Sequence, residues 1–166
     1  MNEAQRSTLL SLLTLLILCA LPTVALAGWR VLPTTGFVTD DLDLTLMHRR
    51  TGLDVTSQVN GDQHFIYQTV PVVEGDVIDA IAICYVAGPP FAGTFITGLG
   101  LTEFIFPMAG TGRHVDSTDL TSSAETCYLS PVANFAPAGA VTLWLQLNFD
   151  NASDFLFIGA VGIHVK

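Results

Sequence analysis

The chain has 166 residues, half of them apolar, and its 15 acidic side chains against 6 lysines and arginines set a net charge of −9. Such a balance disfavours nucleic acid and anionic lipid as partners, because both are recruited by clustered Lys and Arg. Lys166 is the only lysine, and Arg49-Arg50 is the only basic cluster.

Residues 1–27 read as a secretory signal. Arg6 lies near the amino terminus, 9–21 is apolar, and Ala25-Leu26-Ala27 forms a small-x-small cleavage site before Gly28. An uncleaved anchor is the competing reading, since the apolar stretch nearly spans a bilayer. Pro22 and the alanine pair favour cleavage, and Leu18 stands where lipid attachment at Cys19 would need a small residue. Residues 28–166 are then expected to form one exported domain, secreted or periplasmic, with no membrane segment left after cleavage.

From Gly28 onward hydrophobicity repeats with period two. Residues 29–32 read as an edge strand closed by Pro33, which has no N–H for a ladder. Leu42, Leu44 and Leu46 mark a half-buried strand, Arg49-Arg50-Thr51-Gly52 a turn, and 53–55 a second short strand. Asn60-Gly61 is a hairpin-turn signal. Residues 64–85 read as a central hairpin, two apolar arms broken by Glu74-Gly75-Asp76. On its second arm both the Ile81, Ile83, Tyr85 row and the Ala80, Ala82, Cys84 row are apolar, as in a strand covered on each side. In the strand at 94–106, Gly98 and Gly100 share one face and mark a bulge or a close backbone approach. Residues 107–124 read as a long polar loop, and 126–129 as a short strand. Val141, Leu143, Leu145, Leu147 and Phe149 then alternate with Thr142, Trp144, Gln146 and Asn148. A turn at 150–154 leads into a returning strand at 155–165, with Phe155, Phe157, Val161, Ile163 and Val165 on one side, so that the two form a C-terminal hairpin.

This pattern predicts an all-β fold: an antiparallel β-sandwich of about seven to nine strands, jelly-roll-like first and immunoglobulin-like second. The second order lacks the tryptophan expected between the paired cysteines. Cleavage leaves two cysteines, Cys84 and Cys127, and an oxidising compartment joins them as a disulfide.

Chemistry is sparser. Asp40, Asp41 and Asp43 enter a strand together and offer hard oxygens to calcium, against the plainer reading of a solvated turn. Asp150-Asn151-Ala152-Ser153-Asp154 is a second oxygen-rich turn. An acid/base pair would come from Glu74, Glu103 and Glu125 or from the aspartates, and the four histidines are scattered. No nucleophile elbow, phosphate loop or Cys-x-x-Cys occurs. Trp144 among Thr142, Gln146 and Asn148 on the polar face of its strand has the composition of a sugar-stacking platform, whose alternative is a packed second layer. The expectation is an exported, non-catalytic protein with a binding or structural role, whose partner is a carbohydrate or another surface protein. A carbohydrate-binding module using the Trp144 face is the first alternative, and a metal- or carboxylate-dependent hydrolase the second.

Overall fold

The alternation is realised as ten antiparallel strands in the computed structural model, which describes residues 28–87, 93–106, 109–152 and 154–166. The expected signal segment and the Gly88-Pro89-Pro90 break lie outside the described residues. In chain order the strands are β1 (Gly28–Leu32), β2 (Leu44–Arg49), β3 (Gly52–Ser57), β4 (Gly61–Val70), β5 (Ile78–Val86), β6 (Phe95–Phe104), β7 (Thr111–Asp116), β8 (Thr126–Phe135), β9 (Ala140–Phe149) and β10 (Phe155–Val165). One sheet runs β2-β3-β10-β5-β8, with β1 paired to the C-terminal part of β10; the other runs β4-β9-β6-β7. The order 3-10-5-8 facing 4-9-6-7 is the jelly-roll sandwich that the strand spacing predicted.

Between the sheets the inward rows interlock. Leu53, Val55, Ile81, Ile83, Leu156, Ile158 and Ile163 come from the first sheet, and Ile66, Ile96, Leu99, Leu101, Leu143, Leu145 and Leu147 from the second, all at most 1% exposed. Burying this apolar surface is the main driving force of the fold. The expected disulfide forms between Cys84 and Cys127, which face each other directly across β5 and β8.

Several expected connections differ. Residues 64–85 are not a hairpin: β4 lies in one sheet and β5 in the other. The same holds for β9 and β10, and for β3 and β4 around Asn60-Gly61. Consecutive strands here mostly cross the sandwich, and among them only β2–β3 and β6–β7 pair directly. The polar loop expected at 107–124 contains β7, an edge strand whose side chains are mostly solvated, so it carries no apolar alternation. The short strand at 126–129 extends as β8 to Phe135, passing Pro131 because β8 is a sheet edge where a missing N–H costs no ladder bond. In β10 a register shift between Ile158 and Ala160 reverses the alternation, so Leu156 and Ile158 join Val161 and Ile163 inside while Phe155 and Phe157 face out. The Ala80, Ala82, Cys84 row of β5 is half-buried beside exposed Trp29, Val31 and Leu129 rather than under a second layer.

Candidate functional site

The outward face of the β4-β9-β6-β7 sheet gathers the side chains that the alternation of β9 turned away from the core. Register places Tyr67 and Gly100 on either side of Trp144, Thr69 and Thr102 on either side of Thr142, and Phe65 and Gly98 on either side of Gln146. Three rows therefore cross the face: Tyr67-Trp144-Gly100, Thr69-Thr142-Thr102 and Phe65-Gln146-Gly98. Cross-strand neighbours on one face lie close enough for rings and hydroxyls to form one surface.

The two glycines make the seat of the indole. A Cβ added at Gly100 would lie 2.7 Å from Trp144 Cε2, and closer still to Cζ2 and to the His114 carbonyl of β7. At Gly98 the nearest indole atom, Cζ3, would be 3.8 Å away. The six-membered ring thus spans the backbone of β6, and the bulge between Ile96 and Gly98 brings both glycines under it. Phe65 and Tyr67 are stacked, with centroids 6.2 Å apart and planes 14° apart; Phe65 meets the indole at 6.1 Å and 66°. The rings form a corner, an indole flanked by two phenyl planes inclined to it. All three are half-buried, with threonine hydroxyls alongside. Gln146 and Asn148 hold the rim: Gln146 Nε2 donates to the Asp62 carbonyl at 2.6 Å, and Asn148 Nδ2 to the Gly93 carbonyl.

Carboxylates border this corner. Residue 38 pairs with Tyr67 along the free edge of β4, N–H to carbonyl in both directions, and carries the chain into Asp40 and Asp41. Burial raises the Tyr67 phenol pKa, and the charges of Asp40 and Asp41 raise it further. Asp41 is itself committed to the fold. Its Oδ2 meets His64 Nδ1 at 2.5 Å, and its Oδ1 accepts the Asp43 N–H at 2.9 Å. Burial raises the Asp41 pKa, but the His64 hydrogen bond, the Asp43 N–H and the His64 charge together bring it below the usual value. Asp40, Asp41 and Asp43 do not converge: among the described residues no three of His, Cys, Asp and Glu are grouped to hold a metal.

His64 also reaches Ser57 Oγ at 3.3 Å, giving an Asp41–His64–Ser57 chain with the order of a nucleophilic relay. Ser57 is 2% exposed, donates its proton to the Val59 carbonyl at 2.6 Å and accepts the Val59 N–H at 3.2 Å, so its hydroxyl is engaged within the fold. The relay is a clasp at the β3–β4 corner. Glu103 is likewise structural. It is 1% exposed, accepts N–H bonds from Ala138 and Gly139 at 2.5 and 2.8 Å, and pairs with Arg113 at 2.6 Å. Burial raises its pKa, but these donors more than offset that and keep it ionised, the wrong state for a general acid. At the open edge between β7 and β8, Ser130 Oγ donates to Asp116 at 2.5 Å and meets His114 Nε2 at 2.8 Å, with Tyr128 OH on the same carboxylate.

Reading the sequence located Trp144, Thr142, Gln146 and Asn148 on one face, and the fold keeps them there. Phe65, Tyr67 and Thr69 from β4 and Thr102 from β6 join that face, beyond the residues that β9 alone reveals. The alternation of Phe65, Tyr67 and Thr69 against His64, Ile66 and Gln68 was the available signal. What it lacked was the β4–β9 pairing.

No protein-family model and no curated protein matches the chain by sequence. Solved structures share its fold. The CBM22-1–GH10 modules of endo-1,4-β-D-xylanase 10B from Clostridium thermocellum, complexed with xylohexaose, superpose with a TM-score of 0.59 at 15% identity over 86% of this chain. The chain spans 29% of that protein's length. The CBM36-1 domain of a multidomain xylanase from the hindgut metagenome of Trinervitermes trinervoides gives 0.52 at 11% identity, covering 81% of this chain and 95% of that one. The low-affinity xylan-binding module CBM86 of Roseburia intestinalis gives 0.52 at 10%, covering 83% and 96%. At these identities the likeness is one of fold: the β-sandwich of carbohydrate-binding modules.

Proposed function

We propose that the protein is an exported, non-catalytic carbohydrate-binding β-sandwich that takes a neutral polysaccharide chain on the Trp144 face. The observation that carries this reading is the indole seated on Gly100 within a corner of Phe65 and Tyr67, bordered by a row of three threonines. A pyranose ring offers C–H groups to an aromatic face and hydroxyls to the threonines. Asp40 and Asp41 beside Tyr67 add negative charge to the rim, which selects against uronic acids and phosphosugars. Export follows from the signal segment read at 1–27, and the Cys84–Cys127 disulfide agrees with an oxidising destination. The structural neighbours complexed with xylohexaose or binding xylan make xylan the first ligand to try.

A glycan array followed by affinity electrophoresis on soluble xylan tests this. Binding to a neutral β-linked glycan is expected, with at least a tenfold loss for Trp144→Ala. Absence of binding to every neutral glycan, or undiminished binding by Trp144→Ala, would sink it.

A further inference from the structure

The turn between β9 and β10 brings two carboxylates onto Gly93-Thr94, at the entry to β6. Asp154 Oδ2 accepts from the Thr94 hydroxyl and, at 3.2 Å, from the Asn151 N–H; Thr94 Oγ1 in turn accepts the Asp150 N–H at 3.0 Å. The Asp150 side chain folds over Gly93, where an added Cβ would lie 2.7 Å from Asp150 Cγ and 3.1 Å from its Oδ1. Asp154 is 0% exposed, and its other oxygen, Oδ1, is buried with no hydrogen-bond partner among the described residues.

That orphan stands out against the other buried acids. Three acidic residues are fully buried among the described residues: Asp76, Glu103 and Asp154. Asp76 is forked by Arg30 and Glu103 is paired with Arg113. Arg49 is engaged by Asp54, and Lys166 by Asp79. Asp154 has no cationic side chain within ion-pair distance among the described residues. A buried carboxylate without a compensating charge is costly, so the fold calls for a cation that the described residues do not provide. The donors around Gly93-Thr94 are oxygens: two carboxylates, a threonine hydroxyl and backbone carbonyls. Such a set suits a hard cation, whereas zinc seeks His and Cys.

We propose that the β9–β10 turn, together with Gly93-Thr94, is a calcium site in which Asp154 Oδ1 is the inner ligand and Asp150 closes it from the solvent side. The site stands apart from the Trp144 face and does not depend on the carbohydrate reading. It touches the rim of that face only through the Asn148 bond to the Gly93 carbonyl. With two carboxylates, its affinity falls in the range of extracellular modules, with a Kd of about 10⁻⁴ M.

Thermal melts of the purified protein in EDTA, in about 10 mM calcium chloride and in the same concentration of magnesium chloride test the site. Calcium is expected to raise Tm by about 10 °C over EDTA, and magnesium by much less, because a ligand present at some hundredfold its Kd stabilises the folded state by mass action. Asp154→Asn keeps the shape and the Thr94 bond while removing the charge. It should melt in EDTA at or above the wild-type temperature and lose the calcium increment. If that variant fails to fold, Asp150→Asn in the exposed turn carries the same expectation. Equal Tm in calcium and EDTA, or an increment that survives these substitutions, would overturn the proposal.

Discussion

Replacing Gly100 by alanine tests how the candidate platform is built. The new methyl would lie 2.7 Å from Trp144 Cε2, and nearer still to Cζ2 and to the His114 carbonyl. Carbon atoms pack at about 3.5–4 Å, so the indole must withdraw by roughly 1 Å, and the β7 backbone must yield as well. Forcing a methyl into a closed contact of this kind costs about 1–3 kcal/mol, and the carbonyl clash places Gly100→Ala toward the upper end. At roughly 4 °C per kcal/mol for a domain of this size, Tm should fall by about 10 °C. Gly98→Ala is the control. Its Cβ would meet the Asp116 carbonyl at 3.1 Å and the indole at 3.8 Å, so it should cost under about 1 kcal/mol, part of which is regained from the stiffer unfolded chain. The chain has two tryptophans, so Trp29→Phe leaves Trp144 as the sole indole reporter. On that background Gly100→Ala should shift the emission maximum, and Gly98→Ala should not. A Gly100→Ala protein with unchanged Tm and unchanged emission would refute the seating of the indole on β6.

Other outcomes follow from the buried polar groups. Glu103→Ala strips Arg113 and the Ala138 and Gly139 N–H groups of their acceptor and should cost about 3–5 kcal/mol in urea unfolding, with Glu103→Gln retaining part of the loss. Burial raises the Asp116 pKa, but hydrogen bonds from Ser130, Thr118 and Tyr128 outweigh that and hold it at about 2. Asp41, Asp76 and Glu103 are also held below their usual values. For a depressed carboxyl the stabilisation is complete above the unfolded value near pH 4 and is lost as pH falls through the folded one, so the carboxyl contribution to the urea midpoint should be complete at pH 5 and drop steeply between about pH 4 and 2. Burial depresses the His114 pKa against the opposing charge of Asp116, which adds a shallower loss beginning below about pH 6.5, and His114→Gln should remove that early phase alone. Reducing Cys84–Cys127, or replacing both with serine, opens a loop of sequence separation 43 and should lower stability by about 4 kcal/mol without altering the β5–β8 pairing. Differential scanning calorimetry with and without reductant measures this.

The candidate face was half legible in the sequence. Trp144 and its polar neighbours on β9 were visible because alternation over one strand assigns every residue to a face. Phe65 and Thr69 obey the same rule on β4, yet the polar break at Glu74-Gly75-Asp76 points to a hairpin with β5, and only the β4–β9 pairing sets them beside Trp144. Gly98 and Gly100 announced a close approach in the sequence, but only the β6–β9 register says that the approaching group is an indole. Glu103 is a candidate acid by residue type alone; its buried pairing with Arg113 and two backbone N–H groups commits it to the fold.

The sequence by itself determined most strand positions, the inward and outward rows of most strands, the cysteine pairing and the jelly-roll class, because these rest on local period, turn chemistry and the count of two thiols. It did not determine which strands pair. β4 and β5 adjoin in sequence yet lie in opposite sheets, and so do β9 and β10. A polar turn permits a hairpin or a crossing equally well, and the choice is made by whichever arrangement buries both apolar rows at once. Alternation also fails where a bulge resets it, as between Ile158 and Ala160, and at the solvated edge strand β7, where no apolar row is needed. Tertiary packing decided these points, and with them the neighbours that turn Trp144 from one aromatic residue into the centre of a surface.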